Sequence, residues 1–399
     1  MLKNVLLKQL SEKLKGLPLA LHLWDGEVMA VSEPRVRIHA SDPRALGVLI
    51  NPSLGGLARA YVEGWIDLHG DARDILDLGR ILCQAETPVR QGIGSDWRWW
   101  RHTRSRDRRN ITYHYDVSNE FYGLWLDRNR VYSCAYFEEP QDSLDVAQEK
   151  KLDLICRKLM LKPGERLLDI GCGWGGLILR AAEKFGARAT GITLSENQRD
   201  YVNEEIRRRG LEGRVDVRLM DYRDVPEDSP YDKIASVGMF EHVGRRNLAE
   251  YFGKIHRLLR PGGLVMNHGI TSTAVEANGL GSGIAEFVDD YVFPGGELTH
   301  VSNVIQEMAA AGLEPLDAEN LRPHYARTLW SWVERLESRQ GEAIKLIGEH
   351  KYRIWRIYMA GSAYAFERNW MALFQILGGK PHSSGKEEYP FNRRHIYVT

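Results

Sequence analysis

The residues best suited to chemistry stand in one run, Asp169-Ile170-Gly171-Cys172-Gly173-Trp174-Gly175-Gly176. Leu167-Leu168-Asp169-Ile170 reads as a buried strand, and the glycines behind it make a tight strand-to-helix turn. Gly171, Gly173 and Gly176 carry no Cβ and tolerate φ > 0, so a ligand can lie against their backbone. Asp169 stands at the carboxyl end of the strand, where open α/β sheets bind ligands. Two more strand ends are polar in the same way: Thr193-Leu194-Ser195-Glu196-Asn197-Gln198 and Asp221-Tyr222-Arg223-Asp224. The glycines alone fit GxGxxG, a pattern also found in turns that hold nothing. An NAD site would place an acid about 20 residues further on, whereas strand two here ends in Thr193 with Glu196 displaced into the loop. Asp169 on strand one and Asp221-Tyr222 after strand three favour S-adenosylmethionine.

These loops converge only if an α/β sheet carries them. From about 143 to 265 helical and strand patterns alternate as in a doubly wound sheet. Helical spacing covers Leu144–Leu161 and Gly176–Phe185, and Ser195 is placed to cap a third helix. Strands are expected at Arg166–Ile170, Ala189–Thr193, Val215–Met220, Lys233–Val237 and Leu264–His268. The tail, about Trp330 to Leu377, reads as helical, with Tyr352, Trp355, Tyr358 and Met359 as a core stripe that also walls a channel. Thr273–Pro294, rich in glycine, reads as a lid between strand five and the next helix.

The chain has 399 residues, 43% of them hydrophobic and 27% charged, with 54 basic against 54 acidic side chains. That suits two or three globular domains and gives no electrostatic reason to expect nucleic acid. Cys83, Cys134, Cys156 and Cys172 are scattered with no CxxC pair, which fits reduced thiols in the cytoplasm and no zinc site. No run reaches the roughly 18 apolar residues of a spanning helix, so membrane contact is expected to be peripheral. Residues 1–95 read as a smaller α+β domain, with strands near Leu19–Leu23 and Arg35–His39 and helices after Asn51-Pro52-Ser53 and over Ala72–Cys83. A linker, 96–125, follows. In it Trp97, Trp99 and Trp100 alternate with Arg98, Arg101, Arg104, Arg106, Arg108 and Arg109, a composition that suits either a bilayer interface or a solvated connection. Residues 126–399 form the cofactor-binding domain.

Several long motifs join the glycine turn in order: Tyr132-Ser133-Cys134-Ala135-Tyr136-Phe137, Gly238-Met239-Phe240-Glu241-His242-Val243-Gly244, Phe293-Pro294-Gly295-Gly296 and His324-Tyr325-Ala326-Arg327-Thr328-Leu329. With them the chain, over roughly 110–375, resembles the cyclopropane-fatty-acyl-phospholipid synthases and the related mycolic acid cyclopropane synthases. The resemblance implies a Rossmann-like class I S-adenosylmethionine-dependent methyltransferase sheet with helical insertions. It implies methyl transfer to a cis double bond of a phospholipid acyl chain, on the inner face of the cell membrane, with bicarbonate as the base; a homodimer is compatible with it.

By motif, bicarbonate falls to Cys134 (backbone N–H), Glu241, His268, Ile270 (backbone carbonyl) and Tyr325. S-adenosylmethionine falls to Tyr132, Ser133, Asp169, Gly171, Cys172, Gly173, Thr193, Leu194, Ser195, Gln198, Asp221, Tyr222 and Arg223, with Thr193 and Gln198 toward the ribose. A small anion needs donors, which a backbone N–H, an imidazole and a phenol supply, while Glu241 accepts the ion's own hydroxyl. Taken singly, each of these residues also fits an ordinary buried role: Cys134 as a small hydrophobe, His268 and Tyr325 as bonded core groups, Glu241 as a cap. Two positions depart from the family. Gly269 stands where His-Thr-Ile is common, and Ser362 stands where some members carry a cysteine. Two further outcomes stay open: a methyl- or methylene-branched product, and an NAD-linked or non-catalytic Rossmann protein.

Overall fold

The structure, a computed structural model, describes residues 10–12, 14–30, 33–84, 89–91, 118–275, 277–292, 297–382 and 389–397. The tryptophan–arginine segment 97–109 and Phe293-Pro294-Gly295-Gly296 lie outside the described residues.

Leu19–Leu23 (β1), Val28–Ala30 (β2), Val36–Ala40 (β3) and Ile66–His69 (β4) make a four-stranded sheet in the order β2-β1-β3-β4. β3 buries Val36, Ile38 and Ala40 and exposes Arg37 and His39, the period of two expected of a sheet with one apolar face. Arg44–Ile50 (α1), Leu54–Val62 (α2) and Ala72–Cys83 (α3) supply the rest of that core through Leu46, Leu49, Tyr61, Ile75 and Leu78. Ser53 caps α2 by accepting the Gly56 N–H.

The second unit begins earlier than the linker reading placed it. Asn119–Trp125 (α4) is a capped helix whose Phe121, Tyr122 and Trp125 are fully buried, so 119–125 is core rather than connection. Beyond Leu144–Lys158 (α5) the expected alternation runs Arg166–Ile170 (β6), Gly176–Phe185 (α6), Arg188–Thr193 (β7), Glu196–Arg208 (α7), Val215–Leu219 (β8), Tyr231–Val237 (β9), Leu248–Leu258 (α8) and Leu259–Ser272 (β10). Glu314–Asn320 (β12) and Met371–Gly379 (β13) complete a seven-stranded sheet ordered β12-β13-β10-β9-β6-β7-β8. The five strands β10-β9-β6-β7-β8 are parallel, and β13 runs antiparallel to both neighbours. The chain winds outward from β6 through β7 to β8, then returns to β9 on the other side of β6, so the sheet's switch point lies at the β6 and β9 ends. That is where such sheets open a crevice.

The tail differs from its helical reading. Arg322–Ser338 (α11) and Gln340–Glu367 (α12) are helices, but Asn369 takes φ 58° and the chain re-enters the sheet as β13. Met-Ala-Leu-Phe-Gln-Ile-Leu at 371–377 is a buried apolar run, and such a run fits a buried strand as well as a helix.

The glycine-rich insertion also differs. Ala277–Leu280 (β11) pairs with Val89–Gln91 (β5), and Ile284–Tyr291 (α9) packs on α2, with Phe287 and Val292 inside the N-terminal core. A Cβ on Gly55 would lie 1.9 Å from the Gly283 carbonyl oxygen. Glycine serves a backbone-to-backbone contact between the two units here, and the described part of the segment docks on the N-terminal sheet's helices. Val301–Ala310 (α10) and Arg394–Tyr397 (α13) complete the described elements. Among the described residues no helix is long and apolar enough to cross a membrane.

Candidate active site

At the β6/β9 switch point the strand ends open into a crevice. Its walls include Tyr132, Ser133, Asp169, Gly171, Cys172, Gly173, Thr193, Leu194, Gln198, Asp221, Tyr222 and Arg223. The three loops singled out in the sequence therefore meet at one place. Ser195 is the exception: its hydroxyl turns away to cap α7, accepting the Gln198 N–H at 3.3 Å.

The turn itself needs glycine at a position the pattern did not single out. Gly171, Gly173 and Gly175 take φ of 82°, 54° and 81°, a region costly for any residue with a Cβ. Gly176 is already helical and serves packing instead, since a Cβ there would come within 2.9 Å of Val131.

Asp169 is buried at the foot of the crevice, and its Oδ1 has no hydrogen-bond partner in the protein. Burial pushes this carboxyl up to about 7, opposed by the nearby Lys151. An unmet buried carboxylate oxygen favours a cationic ligand group. On the opposite wall the Thr193 hydroxyl and Gln198 Oε1 lie 2.7 Å apart. At the rim Arg223 clasps Asp221 through two bonds of 2.8 and 2.6 Å.

A pH dependence follows for any ligand that places a cation on Asp169. Its ionised form is the binding form, and the raised pKa leaves it protonated below about 7. Affinity for S-adenosylmethionine is expected to fall as pH drops through that point, approaching tenfold per unit, or about 1.4 kcal/mol. Calorimetric titration between pH 6 and 8 checks this, and Asp169→Asn should flatten the profile while lowering affinity throughout.

The five positions assigned to the anion line none of this crevice; they lie just behind it. Cys134 follows Ser133 in the chain, Glu241 stands between Met239 and His242, and His268 pairs in register with Val237. A chain of backbone and side-chain contacts ties four of them together. Glu241 Oε1 accepts the Ile270 N–H at 2.7 Å. Ile270 faces Leu373 across the β10/β13 ladder, and the Leu373 carbonyl accepts the Leu321 N–H at 2.8 Å. The Leu321 carbonyl then accepts the Tyr325 N–H at 3.0 Å and the Cys134 thiol at 3.8 Å. His268, adjoining Ile270 through Gly269, joins by its place on β10.

Two atoms in this nest are unanswered: Glu241 Oε2 and His268 Nε2 are buried with no partner among the described residues. Burial pushes Glu241 up to about 7 and holds the His268 imidazole well below its usual range, so the ring is neutral at pH 7. An acceptor and a ring nitrogen, both dry and unsatisfied, fit a small anion that carries a hydroxyl, as bicarbonate does. The Cys134 thiol, fully buried and pushed up out of the physiological range, is no nucleophile.

At Gly269 the packing leaves no room for a side chain. A Cβ there would lie 2.2 Å from Phe240 Cε1 and 2.8 Å from Glu241 Oε1. The space a larger residue would take is filled by the Phe240 ring and by the Glu241 oxygen that accepts the Ile270 N–H. Ser362 bonds to the Tyr358 hydroxyl, which also meets Tyr132. It therefore supports the crevice wall.

Two lysines escaped the sequence reading. Lys151 is buried, lines the crevice and donates to the Ser133 hydroxyl at 2.8 Å; burial draws it down to about 8. Lys158, one heptad on, is equally buried. The signal was present: both share the face of α5 that buries Leu144, Ala147 and Ile155, where a lysine has to find a partner. Against the crevice stands an aromatic wall. Trp174 lies 4.6 Å from Tyr122, and Tyr132 lies 5.3 Å from Trp332 and 5.4 Å from Trp125.

Comparison with known proteins agrees with this geometry. A family model described as mycolic acid cyclopropane synthetase matches residues 102–376. A probable fatty acid methyltransferase of Pseudomonas putida is 45% identical over 402 residues, covering 98% of this chain and 100% of that protein. Cyclopropane mycolic acid synthase 1 of Mycobacterium tuberculosis is 36% identical over 275 residues, 67% of this chain and 95% of its own. The crystal structure of the mycolic acid cyclopropane synthase CmaA1 complexed with SAH and CTAB superposes with a TM-score of 0.65 at 35% identity, covering 68% of this chain and 98% of that one.

Proposed function

The chain belongs to the mycolic acid cyclopropane synthetase family, and on that premise we propose that it methylates the cis double bond of an unsaturated phospholipid acyl chain and closes a cyclopropane ring. That it is an S-adenosylmethionine-dependent methyltransferase on the class I fold follows from the family and its solved relatives. The finer reading is carried by one observation: Glu241 Oε2 and His268 Nε2, both buried and unmet, beside a crevice shaped for a nucleoside cofactor.

An alkene is a weak nucleophile, so the sulfonium methyl has to be held in line with the π bond in a dry site. The C–C bond forms as the S–CH₃ bond breaks, and its electron pair stays on sulfur. The positive charge left on the other alkene carbon suits the rings of Tyr132 and Trp174, which line the crevice. A proton then leaves the new methyl group, and its C–H electrons close the ring. Bicarbonate, when bound, supplies the base for that proton. His268 and the Cys134 backbone N–H hold an anion in place, Glu241 accepts its hydroxyl, and burial keeps water from the cation.

The lipid is met at the membrane surface through the N-terminal domain and the Trp97–Arg109 segment. A second product, a methylene branch formed when a hydride shifts before the proton leaves, is favoured by one fact. Two relatives that cover 98% and 94% of the chain are named probable fatty acid methyltransferases, with no ring in the name.

The test is incubation of the purified protein with S-adenosylmethionine, bicarbonate and vesicles of a dioleoyl phospholipid. Intact phospholipid one CH₂ heavier, with upfield cyclopropyl proton signals, is expected. Vinylidene proton signals would select the branched product, and unchanged lipid would refute both.

A further inference from the structure

His268, Gln375 and Glu319 form a row across three strands: His268 pairs in register with Gln375, and Gln375 with Glu319. Lys158 of α5 lies over this row, in contact with the Glu319 carboxylate and 2.8 Å from Gln375 Oε1. Lys158, Gln375 and His268 are all buried to within 1% exposure, so each of their polar groups needs a partner.

The accounting has one solution. An ammonium has only hydrogens to offer, so the Gln375 oxygen has to face Lys158. The Gln375 NH₂ then faces His268 Nδ1, at 3.2 Å. An NH₂ also has only hydrogens to offer, so Nδ1 has to present its lone pair. A neutral imidazole carries one proton, and it is left on Nε2. Nε2 is the atom that no group of the protein meets.

We propose that Lys158 and Gln375 are positioning residues that lock His268 as the Nε2–H tautomer, so that the ring offers a donor, never a lone pair, to the anion in the nest. The tautomer follows from the contacts alone; its use toward an anion rests on the function proposed above. The relay gives a role to a buried lysine that does not line the crevice, and to the glutamine that interrupts the apolar run of β13. The opposite tautomer would turn a lone pair toward the anion, exchanging attraction for repulsion, as when a donor is lost from an oxyanion site.

The test is ¹⁵N-histidine NMR of the full-length protein without ligands, with the His268 signals assigned by their loss in His268→Gln. The wild type is expected to show a protonated Nε2 and an unprotonated Nδ1, unchanged from pH 6 to 8. Gln375→Glu replaces the NH₂ by an acceptor, draws the proton to Nδ1, and should lower kcat on the order of 10²-fold with little change in the KM for S-adenosylmethionine. Lys158→Met frees the amide to turn and should give mixed tautomers. A wild-type ring protonated at Nδ1 overturns the relay, even if neither variant folds. A reversed tautomer in Gln375→Glu with undiminished kcat would leave the relay standing and overturn its use toward an anion.

Discussion

Glu241→Gln should abolish turnover while leaving cofactor binding almost untouched. The substitution is nearly isosteric and keeps an oxygen to accept the Ile270 N–H, which Glu241 Oε1 now accepts at 2.7 Å. What it removes is Oε2, the buried acceptor with no partner in the protein, and puts a donor in its place. An anion held by donors then meets one donor too many and loses the acceptor for its own hydroxyl. The proton on the new methyl group has nowhere to go. Loss of an oriented base typically costs 10²–10⁴-fold, so kcat is expected to fall about 10³-fold. Glu241 does not line the cofactor crevice, so the dissociation constant for S-adenosylmethionine should stay within about twofold.

The same variant carries a stability signature of defined sign. Burial raises the Glu241 carboxyl from 4.5 to about 7 in the fold. A carboxyl whose folded pKa is raised favours the fold only while protonated. Its cost appears as pH rises past the unfolded value and saturates above the folded one, growing by roughly 1.4 kcal/mol for each pH unit between them. Glu241→Gln removes that cost. Its melting temperature should exceed the wild type's at pH 8 and match it near pH 4.5. An inactive variant with no such pH-dependent gain would place Glu241 in a wetter setting than the structure does.

Gly269→Val should damage both stability and activity, and a second change should restore part of each. The Cβ of any residue at 269 would overlap the Phe240 ring, at 2.2 and 2.6 Å from two of its carbons, and press on Glu241 Oε1 at 2.8 Å. Phe240 is itself buried, in the cluster of Ile170, Val243 and Tyr251, so it has no free space to enter. Overpacking of this kind costs about 1–3 kcal/mol. Because Phe240 precedes Glu241, its displacement also swings the carboxylate off the Ile270 N–H. Activity should therefore fall by more than the fraction unfolded explains. Phe240→Leu in the Gly269→Val background should recover part of the activity that Gly269→Val loses, a coupling that a double-mutant cycle reads directly. Additive effects would mean that the ring and the glycine are independent. In this chain Gly269 and the Phe240 ring are thus packed as a pair.

The cofactor half of the site was legible because its signals are local. At the first strand end a strand, a turn with required positive φ and a helix follow one another within about 20 residues, and at the next two a strand runs into a polar cap, Ser195 or Asp221. The one glycine misjudged, Gly176 for Gly175, shows the limit: the pattern marks where glycine is needed without saying whether conformation or space needs it. β13 was misread because Met371–Leu377 has no period, and only its pairing with β10 and β12 settles its type. Gln375 and Lys158 went unseen for a related reason. Their roles come from cross-strand register and from a helix laid over it, contacts 107 and 217 residues apart in the chain. Helix α4 was absorbed into the linker because it is only seven residues long and its arginine-rich neighbour set the composition of the window. The anion nest could be reached from the sequence only by resemblance, since Cys134, Glu241, His268, Ile270 and Tyr325 come from distant segments with no shared spacing.

The most direct measurement follows the transferred methyl itself. S-adenosylmethionine carrying a trideuterated methyl group is turned over with unsaturated phospholipid vesicles, and the acyl chains are analysed by mass spectrometry and deuterium NMR. The account predicts a new CD₂ in the chain at the site of the former double bond, the third deuteron having gone to solvent through the base at Glu241 and His268. Label found intact as CD₃ on a headgroup or elsewhere off the former alkene, or cofactor consumed with no label in the lipid, would contradict it.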